Sequence, residues 1–95
     1  MEISPKQIYA NAIMAFGAEG QIDMLHEEVG ELLSALNKYK RGRASVEEVV
    51  TEIADVQIMC EQMAFIFGPE AVAAEKERKL VRLQQRIDKF KSKTK

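Results

Sequence analysis

Between Ser45 and Gly68 the chain places Val46, Val49, Val50, Ile53, Val56, Ile58, Met59, Met63, Phe65, Ile66 and Phe67. At 3.6 residues per turn these positions do not fit on one stripe. A helix that is apolar nearly all round must be buried nearly all round. The chain has 95 residues, one domain's worth, and leaves only three further helices to cover this one. Part of its surface is therefore expected to pack against another copy, giving a homodimer or a homotetramer built as a dimer of dimers.

The rest of the chain reads as helix. Ser4-Pro5 is an N-cap with proline at the first helical position, followed by the stripe Ile8, Ala12, Phe16. Gly17 and Gly20 are expected to punctuate its end. A second helix carries Ile22, Leu25, Val29, Leu32, Leu33, Leu36 and Tyr39, ending at the basic turn Lys40-Arg41-Gly42-Arg43. Ser45 with Glu48 is a capping-box pair opening the third helix, which Gly68-Pro69 stops after Phe67. A fourth is expected from Glu70 to about Phe90, with residues 91–95 frayed. No segment alternates with a strand's period, so the expected class is all-α, a four-helix bundle completed by oligomerisation.

Composition narrows the function. Charges interrupt the apolar stretches, so no membrane span is expected. Residues 1–6 lack a signal peptide's basic-then-apolar layout, and the single Cys60 cannot pair within the chain, so the expected location is the cytoplasm. No Gly-x-x-x-x-Gly-Lys loop is present, which removes a P-loop mechanism. Residues 1–70 hold five Lys/Arg against twelve Asp/Glu, whereas residues 71–95 hold nine against three. A basic tail suits nucleic acid when aromatics are interleaved, and here only Phe90 is. The acidic remainder would also repel a phosphate backbone, so nucleic acid is the weakest of the partners considered.

The acids are the chemically pointed feature. Glu28 and Glu31 lie three apart on the second helix, and Glu52 and Asp55 repeat that spacing on the third. The twenty intervening residues suffice for an antiparallel return, which would set four carboxylates around one point. An isolated Glu-x-x-Glu is ordinarily a solvated helix face. Here Ile53, Ala54 and Val56 surround the second pair, and four close negative charges need protons or a cation. All-oxygen ligation favours Mg²⁺, with Mn²⁺ as a substitute.

The runs Glu27-Glu28-Val29-Gly30-Glu31-Leu32 and Glu52-Ile53-Ala54-Asp55-Val56 resemble the MazG-type branch of the all-α nucleoside triphosphate pyrophosphohydrolases. The resemblance spans about residues 6–88 and is closest to the compact single-domain members. It implies hydrolysis of a (deoxy)nucleoside triphosphate to the monophosphate and pyrophosphate, with Glu28, Glu31, Glu52 and Asp55 as metal ligands. Glu27 would then be an outer-shell or water-orienting group. Phosphate contacts would come from Lys38, two turns beyond Glu31, from Lys40, Arg41 and Arg43 in the turn, and from the stripe Lys79, Arg82, Arg86. Some relatives carry Lys-x-x-x-Asn-x-x-Arg on the last helix, and here Leu83 stands at the Asn position. Tyr9, Asn11 and Gln21 are candidate nucleotide contacts. His26, roughly 200° round the helix from Glu28, faces away from the acids. Met14, Met24, Met59 and Met63 read as core or interface filler, and Cys60 as a small buried hydrophobe. The alternatives are a phosphoribosyl-ATP pyrophosphohydrolase, a non-enzymatic dimerisation or adaptor module, and a nucleic-acid-binding bundle using residues 76–95.

Overall fold

The computed structural model describes residues 3–93, and among them the secondary structure is entirely helical: α1 (Pro5–Phe16), α2 (Ala18–Lys40), α3 (Val46–Phe67) and α4 (Pro69–Lys93). Ser4 caps α1 as its Oγ accepts from the Gln7 amide at 3.2 Å, with Pro5 in the first turn. Gly17 alone separates α1 from α2, at φ +79°, a conformation that side chains disfavour. The expected second break does not occur. Gly20 lies inside α2, which begins at Ala18, ahead of the expected apolar start at Ile22. One mid-helix glycine costs only about 0.5–1 kcal/mol, which the surrounding turns outweigh.

The α2–α3 turn closes as a Schellman motif. The Arg43 amide donates to the Lys38 carbonyl at 2.8 Å and the Gly42 amide to the Tyr39 carbonyl at 3.0 Å, with Gly42 at φ +72°. The capping box forms as its sequence indicates: Ser45 Oγ accepts from the Glu48 amide at 3.1 Å, and Glu48 Oε2 accepts from the Ser45 amide at 3.2 Å. Gly68, at φ +128°, turns the chain into α4. That helix starts at Pro69, one residue before the expected Glu70, and continues through Lys93. Residues 91–93, expected to fray, are helical, while Thr94 and Lys95 lie outside the described residues.

The antiparallel α2–α3 hairpin is the main packing unit, with α1 against both helices and α4 against α3 alone. Its interior is thin. Met59 is the one large apolar side chain buried below a tenth of its surface among the described residues, and Gln21 and Gln62 are buried with it. Cys60, expected to be buried, is exposed. Helical phase places Val29, Leu33 and Leu36 of α2 on the same side of the hairpin as Val46, Val50 and Ile53 of α3, and all six are exposed. The chain exposes 7803 Å², whereas a compact monomer of 10.7 kDa exposes about 5,500 Å². Its radius of gyration is 17.1 Å, against about 12 Å for a compact chain of this length. Of the apolar side chains that the pattern of α3 marks for burial, Val46, Val50, Ile53, Ile58 and Phe67 are exposed, Met59 is buried and the rest are half-buried.

The capping box is the clearest local determinant of where α3 begins. Ser45→Ala is expected to lower stability by about 1 kcal/mol in a denaturant titration, with Ser45→Asp retaining most of it.

Candidate functional site

The hairpin register sets Glu31 level with Glu52 and brings Glu28 beside them. Each of Glu28, Glu31 and Glu52 offers a carboxylate oxygen, and these three oxygens lie within 4.8 Å of one another. The sequence spacing explains the convergence. Residues three apart share a helix face, and the capped turn returns α3 along α2 in the register that makes the two faces meet. Asp55, expected as a fourth ligand, stands outside the three-oxygen cluster. Its charge still raises the pKa of both Glu28 and Glu52.

Glu28 and Glu52 are half-buried, and each has one carboxylate oxygen (Oε2) shielded from solvent without a hydrogen-bond partner. Desolvation is the main cause that holds the Glu28 carboxyl above its ordinary value. Repulsion from Glu31, Asp55, Glu52 and Glu27 adds to it, in that order. Glu52 is raised chiefly by desolvation, then by the charges of Glu31 and Asp55 and by a carboxyl–carboxylate contact with Glu31. A shielded carboxylate oxygen without a donor is costly unless it takes a proton or a cation. The donor set is all oxygen, which suits a hard divalent ion more than a thiophilic one.

Beside this cluster a cavity of about 390 Å³ is lined by Glu31, Ser34, Ala35, Lys38, Ala44, Glu48, Thr51 and Glu52. It lies on the side of the hairpin opposite the exposed apolar row. Lys38 therefore sits where its spacing from Glu31 indicates, as the one cationic wall of a carboxylate-lined cavity. Two polar groups there are already engaged: Glu48 in the capping box, and Thr51, whose hydroxyl donates to the Glu47 carbonyl at 3.1 Å. Ser34 is a lining residue that the motif reading missed. The signal was present, since Ser34 follows Glu31 by three and precedes Lys38 by four, on the same face. Ala35 and Ala44 supply room rather than chemistry.

The remaining candidates divide by distance from this cavity. Glu27 is exposed next to Glu28 and acts on it through charge. Arg41 and Arg43 are exposed in the turn beyond Lys38 and do not line the cavity, nor does Lys40. Lys79, Arg82 and Arg86 are exposed on α4, which does not contact α2, and none of the three lines the cavity. Of the proposed nucleotide contacts, Gln21 is buried, Tyr9 is half-buried, and Asn11 accepts from Gln7 Nε2 at 3.0 Å on the exposed face of α1.

Comparison with protein-family models, with curated proteins and with solved structures returns no match.

The raised carboxyls couple stability to pH. Protonation of Glu28 and Glu52 favours the folded chain, so the stability they contribute is full below the ordinary value of 4.5 and is lost as pH rises through their higher folded-state values. In chelator, the thermal midpoint of the wild type should rise on going from about pH 7 to about pH 5, by more than that of the Glu28→Gln/Glu52→Gln double variant. At about pH 7, saturating Mg²⁺ or Mn²⁺ should raise the wild-type midpoint by several degrees and leave the double variant unchanged.

Proposed function

We propose that this chain is a Mg²⁺-dependent nucleotide pyrophosphohydrolase of the MazG-like kind. It cleaves (deoxy)nucleoside triphosphates to the monophosphate and pyrophosphate, working in the cytoplasm as a homodimer or homotetramer. The observation that carries the reading is the convergence of Glu28, Glu31 and Glu52 from two helices, with two shielded carboxylate oxygens unpartnered beside a cavity walled by Lys38. A solvated acidic face gives no reason for acids to be desolvated against one another. A cation-binding site does. The exposed apolar rows of α2, α3 and α4 support the homo-oligomer.

In this reading Glu28, Glu31 and Glu52 hold the ion, with Asp55 adding charge at its edge. Bound there, a divalent ion would polarise a phosphoryl group and lower the pKa of a water molecule. The rest falls to the chain's own groups. The carboxylates give a polyanion no foothold by themselves, so Lys38 supplies the attraction that draws a phosphate chain into the cavity. The Ser34 hydroxyl, one turn from both Glu31 and Lys38, donates to a phosphate oxygen between them. Glu27, solvent-accessible beside Glu28, takes the proton released by the attacking water. Arg41 and Arg43 neutralise the part of the substrate that extends past Lys38 toward the turn.

The test is pyrophosphate release from a panel of nucleoside and deoxynucleoside triphosphates, with and without Mg²⁺. Release should require the metal and fall by at least about 100-fold in Glu52→Ala. Lys38→Ala should raise KM by roughly tenfold, the loss of one charge-assisted contact. A folded, metal-loaded protein that releases pyrophosphate from none of the panel would favour the adaptor reading, for which the exposed apolar surface is the supporting observation.

A further inference from the structure

Among the described residues only three side chains are buried below a tenth of their surface, and two of them are carboxamides, Gln21 at 3% and Gln62 at 6% exposure. An apolar side chain would fill either position without giving up hydration, so glutamine there calls for a partner. Gln62 Oε1 has none: it is shielded from solvent and accepts no hydrogen bond. The ion and the phosphate chain do not account for it, because both glutamines lie beyond the carboxylates.

Their place in the hairpin is informative. α2 carries Gln21, Met24, Glu28 and Glu31 at intervals of three, four and three, and α3 carries Glu52, Asp55, Met59 and Gln62 at the same intervals. In the antiparallel register that sets Glu31 level with Glu52, the two series pair rung by rung. Acid meets acid twice, then Met24 meets Met59, then Gln21 meets Gln62. Each glutamine lies seven residues, about 10 Å, from the nearer acid of its own helix. Lys38 stands two turns from Glu31 in the opposite direction. The seam thus passes from a cation, through carboxylates, to an apolar rung and then a neutral amide rung. A nucleotide has its phosphates, sugar and base in that order, and two turns of helix is about the span of a sugar with its base. α1 covers this end of the hairpin: it packs on both helices, has none of its own side chains buried, and joins α2 through Gly17 alone. A helix so lightly held is the least costly in the fold to displace, which gives a base its way in.

We propose that Gln62, with Gln21 level across the seam, reads the edge of the nucleobase and selects bases that carry an exocyclic amine beside a ring-nitrogen acceptor, adenine and cytosine. Gln62 Oε1 accepts from the amine while Nε2 donates to the ring nitrogen, the bidentate pattern in which a carboxamide matches such an edge. Uracil and hypoxanthine present the reverse order, an oxygen acceptor beside an N–H donor. They fit only after the amide turns over within the packed seam. Met24 and Met59 face the sugar. The inference rests on the nucleotide reading above and names its substrate class.

The experiment compares kcat/KM in Mg²⁺ for two pairs of substrates that differ at this edge, dCTP with dUTP and dATP with dITP. Thermal midpoints without nucleotide are measured alongside. The wild type should prefer the amine-bearing member of each pair by at least about tenfold. Gln62→Leu should bring both ratios to about one, through KM more than kcat, and leave the Mg²⁺-induced rise in midpoint in place. Because it removes an unsatisfied buried amide, it should also raise the nucleotide-free midpoint. Gln62→Met, unbranched and closer in length, carries the same expectations if the leucine variant does not fold. No preference for the amine-bearing members, or ratios that survive the substitution, overturns the assignment and leaves the pyrophosphohydrolase standing. A midpoint lowered by both variants also overturns it and gives Gln62 the role of holding the seam. Pyrophosphate release from none of the four nucleotides overturns the catalytic reading and this inference together.

Discussion

The antiparallel seam between α2 and α3 brings Glu28, Glu31 and Glu52 within 4.8 Å of one another and shields one oxygen of Glu28 and of Glu52 from solvent. Close carboxylates repel, and desolvation raises the cost further, so the same packing that holds the hairpin together also strains it electrostatically. Two features offset the repulsion locally. The Schellman turn and the Ser45–Glu48 capping box fix the start of α3, and Met59 anchors the seam farther along. What remains is a site whose ionised form is unfavourable in the absence of a cation. The Mg²⁺-dependent chemistry proposed above makes use of that condition.

The hairpin divides its two sides between different tasks. On one side lie the carboxylates, Ser34 and Lys38 around a cavity; on the other lies the exposed row Val29, Leu33, Leu36, Val46, Val50 and Ile53. Association through the apolar side would leave the cavity open to a substrate, because the two are separated by the thickness of the hairpin. The fourth helix adds a second unsatisfied surface of different character, apolar and basic, against a body that is acidic. A chain with this little interior leaves much of its apolar surface to solvent.

Much of this is legible in the residues. Pro5 after Ser4, Ser45 with Glu48, and Gly68-Pro69 mark ends that the structure keeps to within a residue, because capping and left-handed glycine are local effects. The pairs Glu28/Glu31 and Glu52/Asp55 announce a convergence through spacing alone. Asp55 falls outside the three-oxygen cluster because equal spacing along two helices does not make all four side chains equidistant from one point. Gly20 does not break α2, since a helix tolerates one glycine when the turns on either side hold. Helix α4 runs past its expected C-terminal end, where no glycine or proline marks a stop.

The sequence by itself determined the helical class, the capped starts of α1 and α3, the stop at Gly68-Pro69 and the pairing of acids on two segments, since period, caps and spacing are properties of neighbouring residues. Tertiary structure alone decided which acids converge, that Ser34 and Lys38 line the cavity beside them, and that the basic stripe of α4 lies away from it. Those outcomes depend on register and on the direction in which a helix leaves its turn. Both are settled by packing between residues far apart in the chain.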